Sequence, residues 1–186
     1  MSRAHTKSAS LALLAAAAIG CGAPAVPASE PHELLGGSPG AVNPPLRIEP
    51  DPPAETYAVP QPGMITVVDF FATWCRPCID GMADLEALWG RVDRGRVAVV
   101  GVAIDEEAEP VRALVPSLGV TFPMVYDSAG ALDEAYRVGR RVPSTFVVDE
   151  RGTVRFFVGG AKTPAERRAQ LERLERAVAA LAAGER

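Results

Sequence analysis

The hydrophobic pattern of residues 63–183 changes repeatedly between strand-like and helix-like spacing. Two segments, 65–71 and 97–104, are almost entirely apolar or β-prone. Such segments are typical of central strands that are covered on both faces in a mostly parallel sheet. Between them the apolar residues recur at helical intervals, which predicts a helix that carries Ile79, Met82, Leu85 and Trp89 on one stripe.

The second half of the chain continues this alternation and ends in a well-marked helix. The pattern predicts a helix over 109–118, an extended segment over 121–126, a helix over 129–138, and strands over 144–148 and 153–158 joined by a turn. Thr163 and Glu166 form a capping box, and Pro164 suits the first helical position. The last helix is therefore predicted to begin there and to end before Gly184, with an apolar stripe of Leu171, Leu174, Val178 and Leu181.

The first residues of the chain have the pattern of an export signal. Residues 1–10 carry Arg3 and Lys7 and no acidic residue. An apolar run over 11–19 follows, and it is too short to span a bilayer. A basic start followed by a short apolar run predicts a secretory signal peptide.

Ala18-Ile19-Gly20-Cys21 resembles a bacterial lipobox, in which the signal is removed before the cysteine and lipid is attached to it. This interpretation also accounts for the third, unpaired cysteine. The alternative is cleavage at the small residues 23–25, which would remove Cys21. The predicted organisation is a signal peptide over 1–20, a tether rich in Pro, Gly and Ala over 21–62 with a short strand at 56–59, and a folded domain over 63–186. The resemblance implies a protein exported and lipid-anchored to a bacterial membrane, with its domain facing the periplasm or the cell exterior.

Composition excludes several classes of function. The chain of 186 residues has a net charge of −4 and no long basic run, so nucleic acid is not an expected partner. Its two histidines, His5 and His32, precede the predicted domain. We therefore expect neither a histidine-ligated metal site nor a His-based catalytic triad in the domain.

Cys75 and Cys78 form a C-x-x-C pair between a predicted strand and a predicted helix. Cys75 would then lie at a helix N-terminus, where the dipole and the backbone N–H groups favour an exposed, reactive thiolate. Cys78, one turn further, is expected to be the more buried, resolving thiol. Arg76 adds positive charge and Pro77 suits a first helical turn, and both are candidates for contact with a partner. The alternatives for the pair are half of a metal site and a structural disulfide.

Asp69 interrupts a strand that is otherwise predicted to be buried, six residues before Cys75. A buried carboxylate without a partner has a raised pKa. Asp69 is therefore a candidate base that takes the proton of Cys78 when that thiol attacks a mixed disulfide. The alternative is an aspartate near a strand end that reaches water.

The segment 71–78, with Trp74 directly before the cysteine pair, resembles the active-site stretch of the thioredoxin superfamily. Residues 63–183, with Thr121-Phe122-Pro123 and the segment 142–152, resemble the membrane-tethered TlpA/ResA branch of that superfamily. The resemblance implies a thioredoxin-like α/β fold, in which a central mixed sheet is flanked by helices and carries a helix–strand insertion. It also implies a thiol–disulfide oxidoreductase that requires no bound cofactor.

The same resemblance gives roles to further residues. Val142 and Pro143 match a loop whose cis-proline faces the cysteine pair and binds the extended chain of the partner, whereas base rates alone predict a trans bond. Trp74 matches the active-site tryptophan, with a place in the core as the alternative. Gly159 matches a glycine that lets a partner backbone approach closely. At Asp69 the chain is similar to thioredoxin, which has an aspartate at the matching place.

The chain also departs from the TlpA/ResA pattern. Those relatives place a Glu three residues after the second cysteine, where this chain has Gly81, so a proton-handling role of that Glu does not carry over. Arg140 and Arg141, together with Arg76, predict a basic rim that suits a partner whose disulfide is flanked by acids. A pair of solvated arginines is the alternative.

The predicted function is reduction of disulfides in exported partner proteins, by a protein that a membrane electron donor recharges. The resemblance implies tasks such as cytochrome c maturation. One alternative is the same fold acting as a disulfide oxidase or isomerase. A second is a Cu(I)-binding chaperone that uses the two thiolates, which the lack of a histidine in the domain disfavours. A third is a peroxidase, which Ala72 disfavours because a Thr or Ser is expected three residues before the reactive cysteine.

Overall fold

The computed structural model describes residues 46–48, 57–161 and 163–185. The predicted signal peptide, Cys21 and most of the predicted tether lie outside these residues. In chain order the strands are β1 (Leu46–Ile48), β2 (Tyr57–Val59), β3 (Ile65–Phe71), β4 (Val97–Ala103), β5 (Met124–Tyr126), β6 (Ser144–Val148) and β7 (Val154–Gly159). The α-helices are α1 (Arg76–Trp89), α2 (Ala108–Leu114), α3 (Ala131–Tyr136) and α4 (Pro164–Ala182).

A mixed five-stranded sheet of order β5-β4-β3-β6-β7 forms the centre of the fold. β4 runs parallel to β3, β5 runs parallel to β4, and both β3–β6 and β6–β7 are antiparallel pairs. The three inner strands are buried along their whole length, which explains why their sequences are almost continuously apolar. The predicted α/β fold with a central mixed sheet is confirmed.

Helices cover both faces of this sheet. On one face α4 contacts β3, β6 and β7, and α1 contacts α4 and β4. On the opposite face Tyr136 of α3 packs against the rings of Phe70 and Phe146, at centroid distances of 5.3 and 5.1 Å. Because side chains alternate along β3, the neighbours of Phe70 on that strand, Asp69 and Phe71, point towards α1 and α4.

The capping box that predicts the last helix is present. The Thr163 side chain accepts a hydrogen bond from the Glu166 backbone N–H at 3.2 Å, and the Glu166 carboxylate accepts one from the Thr163 N–H at 3.1 Å. Pro164 is the first residue of α4. Leu174 and Val178 of the predicted apolar stripe are buried in the core.

Two predicted helices are shorter than expected, for local reasons. The helix predicted over 109–118 is α2 followed by a single 3₁₀ turn over Val115–Ser117, because Pro116 lacks an N–H and its ring crowds the preceding turn. The helix predicted over 129–138 is α3 alone. It is bounded by Gly130 and Arg137, whose φ angles of 66° and 52° lie in the left-handed region and cannot continue a right-handed helix.

The folded part begins earlier than residue 63. β2 confirms the predicted short strand, and β1, which was not predicted, pairs with it in an antiparallel two-stranded sheet. Val59 of β2 is fully buried in the same core as β3, so the core includes a residue that precedes position 63. Among the described residues, no helix has both the length and the apolar character that crossing a membrane requires.

Candidate active site

Cys75 and Cys78 form a disulfide at the N-terminus of α1. Cys75 is the N-cap residue, as predicted, and its Sγ accepts a hydrogen bond from the Cys78 backbone N–H at 3.3 Å. The first turn of α1 carries no acidic residue, so nothing there opposes a negative charge on Cys75. The exposed fractions are 5% for Cys75 and 3% for Cys78. The expectation of an exposed Cys75 is therefore wrong for the disulfide form, which buries both residues.

Asp69 lines the same cavity as Cys78 and lies in the middle of a row of residues that crosses the sheet. Its register neighbours are Gly101 on β4 and Thr145 on β6, and Val158 on β7 continues the row. Asp69 is only 4% exposed, so the alternative of an aspartate reaching water at a strand end is wrong. It is not without a partner either, because the Thr145 hydroxyl donates a hydrogen bond to Asp69 Oδ1 at 2.6 Å.

The environment of Asp69 favours its neutral form. Burial raises the pKa of this carboxyl from 3.8 to about 7, although the hydrogen bond from Thr145 acts in the opposite direction. Asp69, Cys78 and Pro143 line one small cavity between α1, α4 and the sheet. A carboxyl that titrates near neutral pH beside the second cysteine can both accept and return a proton.

A second buried carboxylate, which the sequence analysis missed, holds the loop in front of Cys75. Both oxygens of Asp105 lie 3.1 Å from the Thr73 backbone N–H, which donates to them. The Thr73 hydroxyl donates to Asp105 Oδ1 at 2.5 Å. Asp105 lies two residues after the end of β4, and polar residues just after the carboxyl end of a central parallel strand commonly belong to a site. That position is the sequence signal that could have identified it.

The Pro143 loop packs against the end of β7. The Val142–Pro143 peptide bond is cis, as the family resemblance implied. The Pro143 carbonyl accepts a hydrogen bond from the Gly160 N–H at 3.1 Å. A Cβ atom at Gly159 would lie 2.9 Å from the Pro143 carbonyl oxygen and 2.8 Å from Cζ of Phe157. The backbone that approaches Gly159 in this structure is therefore the chain's own Pro143 loop, so its need for glycine does not depend on a partner.

Comparison with known proteins identifies the family. A model of the AhpC/TSA family matches residues 55–157, which is more than half of the chain. The chain belongs to the AhpC/TSA family. The AhpC/TSA match begins before residue 63, in agreement with the position of β2.

Curated relatives of this AhpC/TSA chain include thiol-disulfide oxidoreductases. It is 30% identical over 108 residues to "Thiol-disulfide oxidoreductase ResA" of Geobacillus thermodenitrificans, covering 58% of this chain and 62% of that protein. It is 31% identical over 112 residues to "Thioredoxin-like protein YneN" of Bacillus subtilis, covering 59% and 65%. The chain thus spans less than two thirds of the length of these relatives. The predicted resemblance to ResA is confirmed.

Superposition on solved structures establishes the fold of this chain. StoA from Bacillus subtilis superposes with a TM-score of 0.60 at 23% identity, covering 73% of this chain and 97% of that one. A thiol-disulfide oxidoreductase from Bacteroides fragilis gives a TM-score of 0.58 at 16% identity, covering 72% and 99%. The predicted thioredoxin-like fold is confirmed.

Trp74 and two arginines form the surface around the disulfide of this AhpC/TSA protein. Trp74 is 55% exposed, which excludes a place in the core. The guanidinium of Arg140 lies 5.8 Å from the Trp74 ring centroid and pairs with Glu106 at 2.5 Å. Arg76 pairs with Asp80 at 2.9 Å. These acidic neighbours reduce the positive charge of the predicted basic rim.

The described part of this family member offers no evident site for a metal ion. No group of three or more His, Cys, Asp or Glu side chains within it is arranged to hold one. His5 and His32 lie outside the described residues. Cys75 and Cys78 supply two soft sulfur atoms, which are joined to each other here.

Proposed function

We propose that this chain is an exported thiol–disulfide oxidoreductase, held at a bacterial membrane through lipid on Cys21, that reduces disulfides in partner proteins. The observation that carries the proposal is the cysteine pair at the N-terminus of α1 beside a carboxyl with a pKa of about 7. Relatives named as thiol-disulfide oxidoreductases support the same chemistry. The signal pattern of residues 1–20 supports the location.

The reaction begins on the reduced protein, with Cys75 as a thiolate. Its sulfur attacks one sulfur of a partner disulfide, so that a Cys75–partner bond forms, the partner's S–S bond breaks, and the other partner sulfur leaves as a thiolate. The N-terminal end of α1 and the Cys78 N–H stabilise the charge on Cys75 before the attack. Exposed Trp74 directly precedes Cys75, and Pro143 lines one cavity with Cys78. These are the surfaces on which the partner chain rests.

The second step releases the partner. Cys78 loses its proton to Asp69 and attacks Cys75 Sγ, so the Cys75–Cys78 bond forms while the mixed disulfide breaks. Two electrons have then passed to the partner, whose two sulfurs leave as thiols or thiolates. A membrane electron donor returns two electrons to the Cys75–Cys78 disulfide and completes the cycle.

The reduction potential of the Cys75–Cys78 pair tests this proposal. The full chain is equilibrated in glutathione or dithiothreitol buffers of defined ratio, and the free thiols are trapped and counted. We expect a potential below about −220 mV, towards the value of about −270 mV for thioredoxin. A value between about −120 and −180 mV is typical of oxidases and isomerases. It would reverse the proposed direction of electron flow.

A further inference from the structure

The cavity next to the disulfide is large enough for water. It has a volume of about 60 Å³ and lies between α1, α4 and the row of the sheet that contains Asp69 and Thr145. A single water molecule needs about 10–15 Å³ of this kind of space and two to four polar partners. The polar side chains that line the cavity are those of Asp69, Thr145, Asp84, Arg167 and Gln170.

Gly81 opens the α1 side of this cavity. It lies one turn after Cys78 and one turn before Leu85, and all three line the cavity from the same face of the helix. Glycine is a poor residue for a helix interior. Nothing in the fold requires it there, because its φ angle is not positive and an added Cβ would meet only Cδ of Arg167, at an ordinary 3.6 Å. The missing side chain therefore leaves space beside Cys78.

Arg167 and Asp84 stand where this space meets the surface. The stem of Arg167 lies against the position of the missing Gly81 side chain. Its Nε lies 3.7 Å from Asp84 Oδ2, and the two side chains are 26% and 44% exposed. The ion pair thus lines the cavity and also reaches solvent, whereas Asp69 is buried at the inner end.

We propose that water in this cavity carries the proton between Asp69 and solvent, through the gap that Gly81 leaves and past the Arg167–Asp84 pair. This inference deepens the proposed function and rests on it. In the second step the proton moves from Cys78 to Asp69, and it then leaves through the cavity water, so Asp69 is again a carboxylate for the next turnover. Cys78 and Asp84 from α1 and Arg167 from α4 are the titratable or charged groups that line the cavity with Asp69. β6 and β7 contribute uncharged residues.

Filling the gap provides the test. Gly81→Leu places a side chain in the cavity and displaces its water, and the Asp69 carboxylate loses hydration as a result. We expect the pKa of Asp69 to rise by about one unit, because desolvation disfavours a charged carboxylate. At pH 7 the ionised fraction, and with it the rate of the second step, should then fall about fivefold and recover as the pH is raised. Gly81→Ala, which the backbone accepts without a clash, should give a smaller change in the same direction.

Two measurements on the full-length protein separate this inference from the proposed function. The pKa of Asp69 is read from its carboxyl ¹³C resonance, assigned with Asp69→Asn, and does not depend on activity. The rate of mixed-disulfide release is followed against pH. Ala83→Leu is the matched control, since it adds the same side chain at an exposed position of α1. An unchanged Asp69 titration in folded Gly81→Leu would overturn the proton route. A shifted titration shows that cavity water hydrates Asp69, and release that slows in Gly81→Leu and recovers at higher pH supports the route. Release that proves independent of Asp69 would instead refute the role of Asp69 as base.

Discussion

Replacing Asp69 by Asn should stabilise the protein at alkaline pH. The carboxyl ionises at about 7 in the folded protein and near 3.8 when it is free of the fold. Since each pKa unit corresponds to about 1.4 kcal/mol, ionised Asp69 lowers the free energy of unfolding by about 4 kcal/mol at pH 8. This is a large part of the 5–15 kcal/mol that holds a typical domain together. Asn keeps the acceptor for the Thr145 hydroxyl, but its amide group needs a partner in the cavity, at a cost of about 1–2 kcal/mol.

The sign of the pH dependence follows from the raised pKa. Below about pH 4 the carboxyl is neutral in both the folded and the unfolded chain, and it contributes no pH dependence. Between about 4 and 7 the unfolded chain ionises while folded Asp69 keeps its proton, so stability falls as the pH rises. Above about pH 7 the carboxyl is ionised in both states, and the loss of stability has reached its full value. The stabilisation by Asp69→Asn should therefore be absent at pH 4 and reach about 2–3 kcal/mol at pH 8.

Urea unfolding of the oxidised protein between pH 4 and pH 8.5 measures this difference. The free energy of unfolding is obtained at each pH by linear extrapolation, and wild type is compared with Asp69→Asn. Asp80→Asn, at an exposed position of α1, serves as the control for the removal of one carboxyl group. If wild type and Asp69→Asn remain parallel from pH 4 to 8.5, the ionisation of Asp69 is not coupled to folding. The burial argument would then be wrong.

Two further substitutions test the supports of the site. Asp105→Asn removes the charge that accepts the hydrogen bonds from the Thr73 N–H and hydroxyl. We expect the free energy of urea unfolding to fall by about 1–3 kcal/mol and the first attack by Cys75 to slow. If both the stability and the rate of attack were unchanged, this role of Asp105 would be contradicted. Gly159→Ala brings a methyl group within 2.9 Å of the Pro143 carbonyl and should cost about 1–3 kcal/mol, whereas Gly90→Ala, whose nearest neighbour is at 3.5 Å, should not. Equal free energies of unfolding for Gly159→Ala and Gly90→Ala would show that the Pro143 loop moves away from the added methyl group without strain.

The sequence predicts those parts of the fold that depend on local pattern. β3 and β6 have the predicted bounds, because a run of mostly apolar and β-prone residues both favours a strand and favours burial. The start of α4 is predicted equally well, since the capping box at Thr163 is a purely local device. The position of Cys75 at the start of α1 follows in the same way from the change of periodicity after β3.

Contacts between distant segments could not be predicted in this way. The Asp105–Thr73 bonds join residues 32 positions apart, and the Asp69–Thr145 bond joins residues 76 apart. Both depend on which strands are neighbours and in which register, and periodicity within one strand does not contain that information. The strand β1 was missed for a related reason, because three residues among prolines acquire a strand conformation only through pairing with β2.

Two residues that fit their local structure poorly face the same cavity. An aspartate in a fully buried strand destabilises the fold once it is ionised, and a glycine in the middle of a helix weakens that helix. A buried carboxyl can act as a base in repeated turnovers only if its proton can reach solvent. The gap in α1 would serve the reaction only if a group beside it exchanges protons with water. Asp69 and Gly81 meet these two conditions for each other, because both line the same cavity of about 60 Å³. Violations of local rules are expected where function is located. The pairing of these two supports the proposal that the cavity takes part in the reaction together with the disulfide.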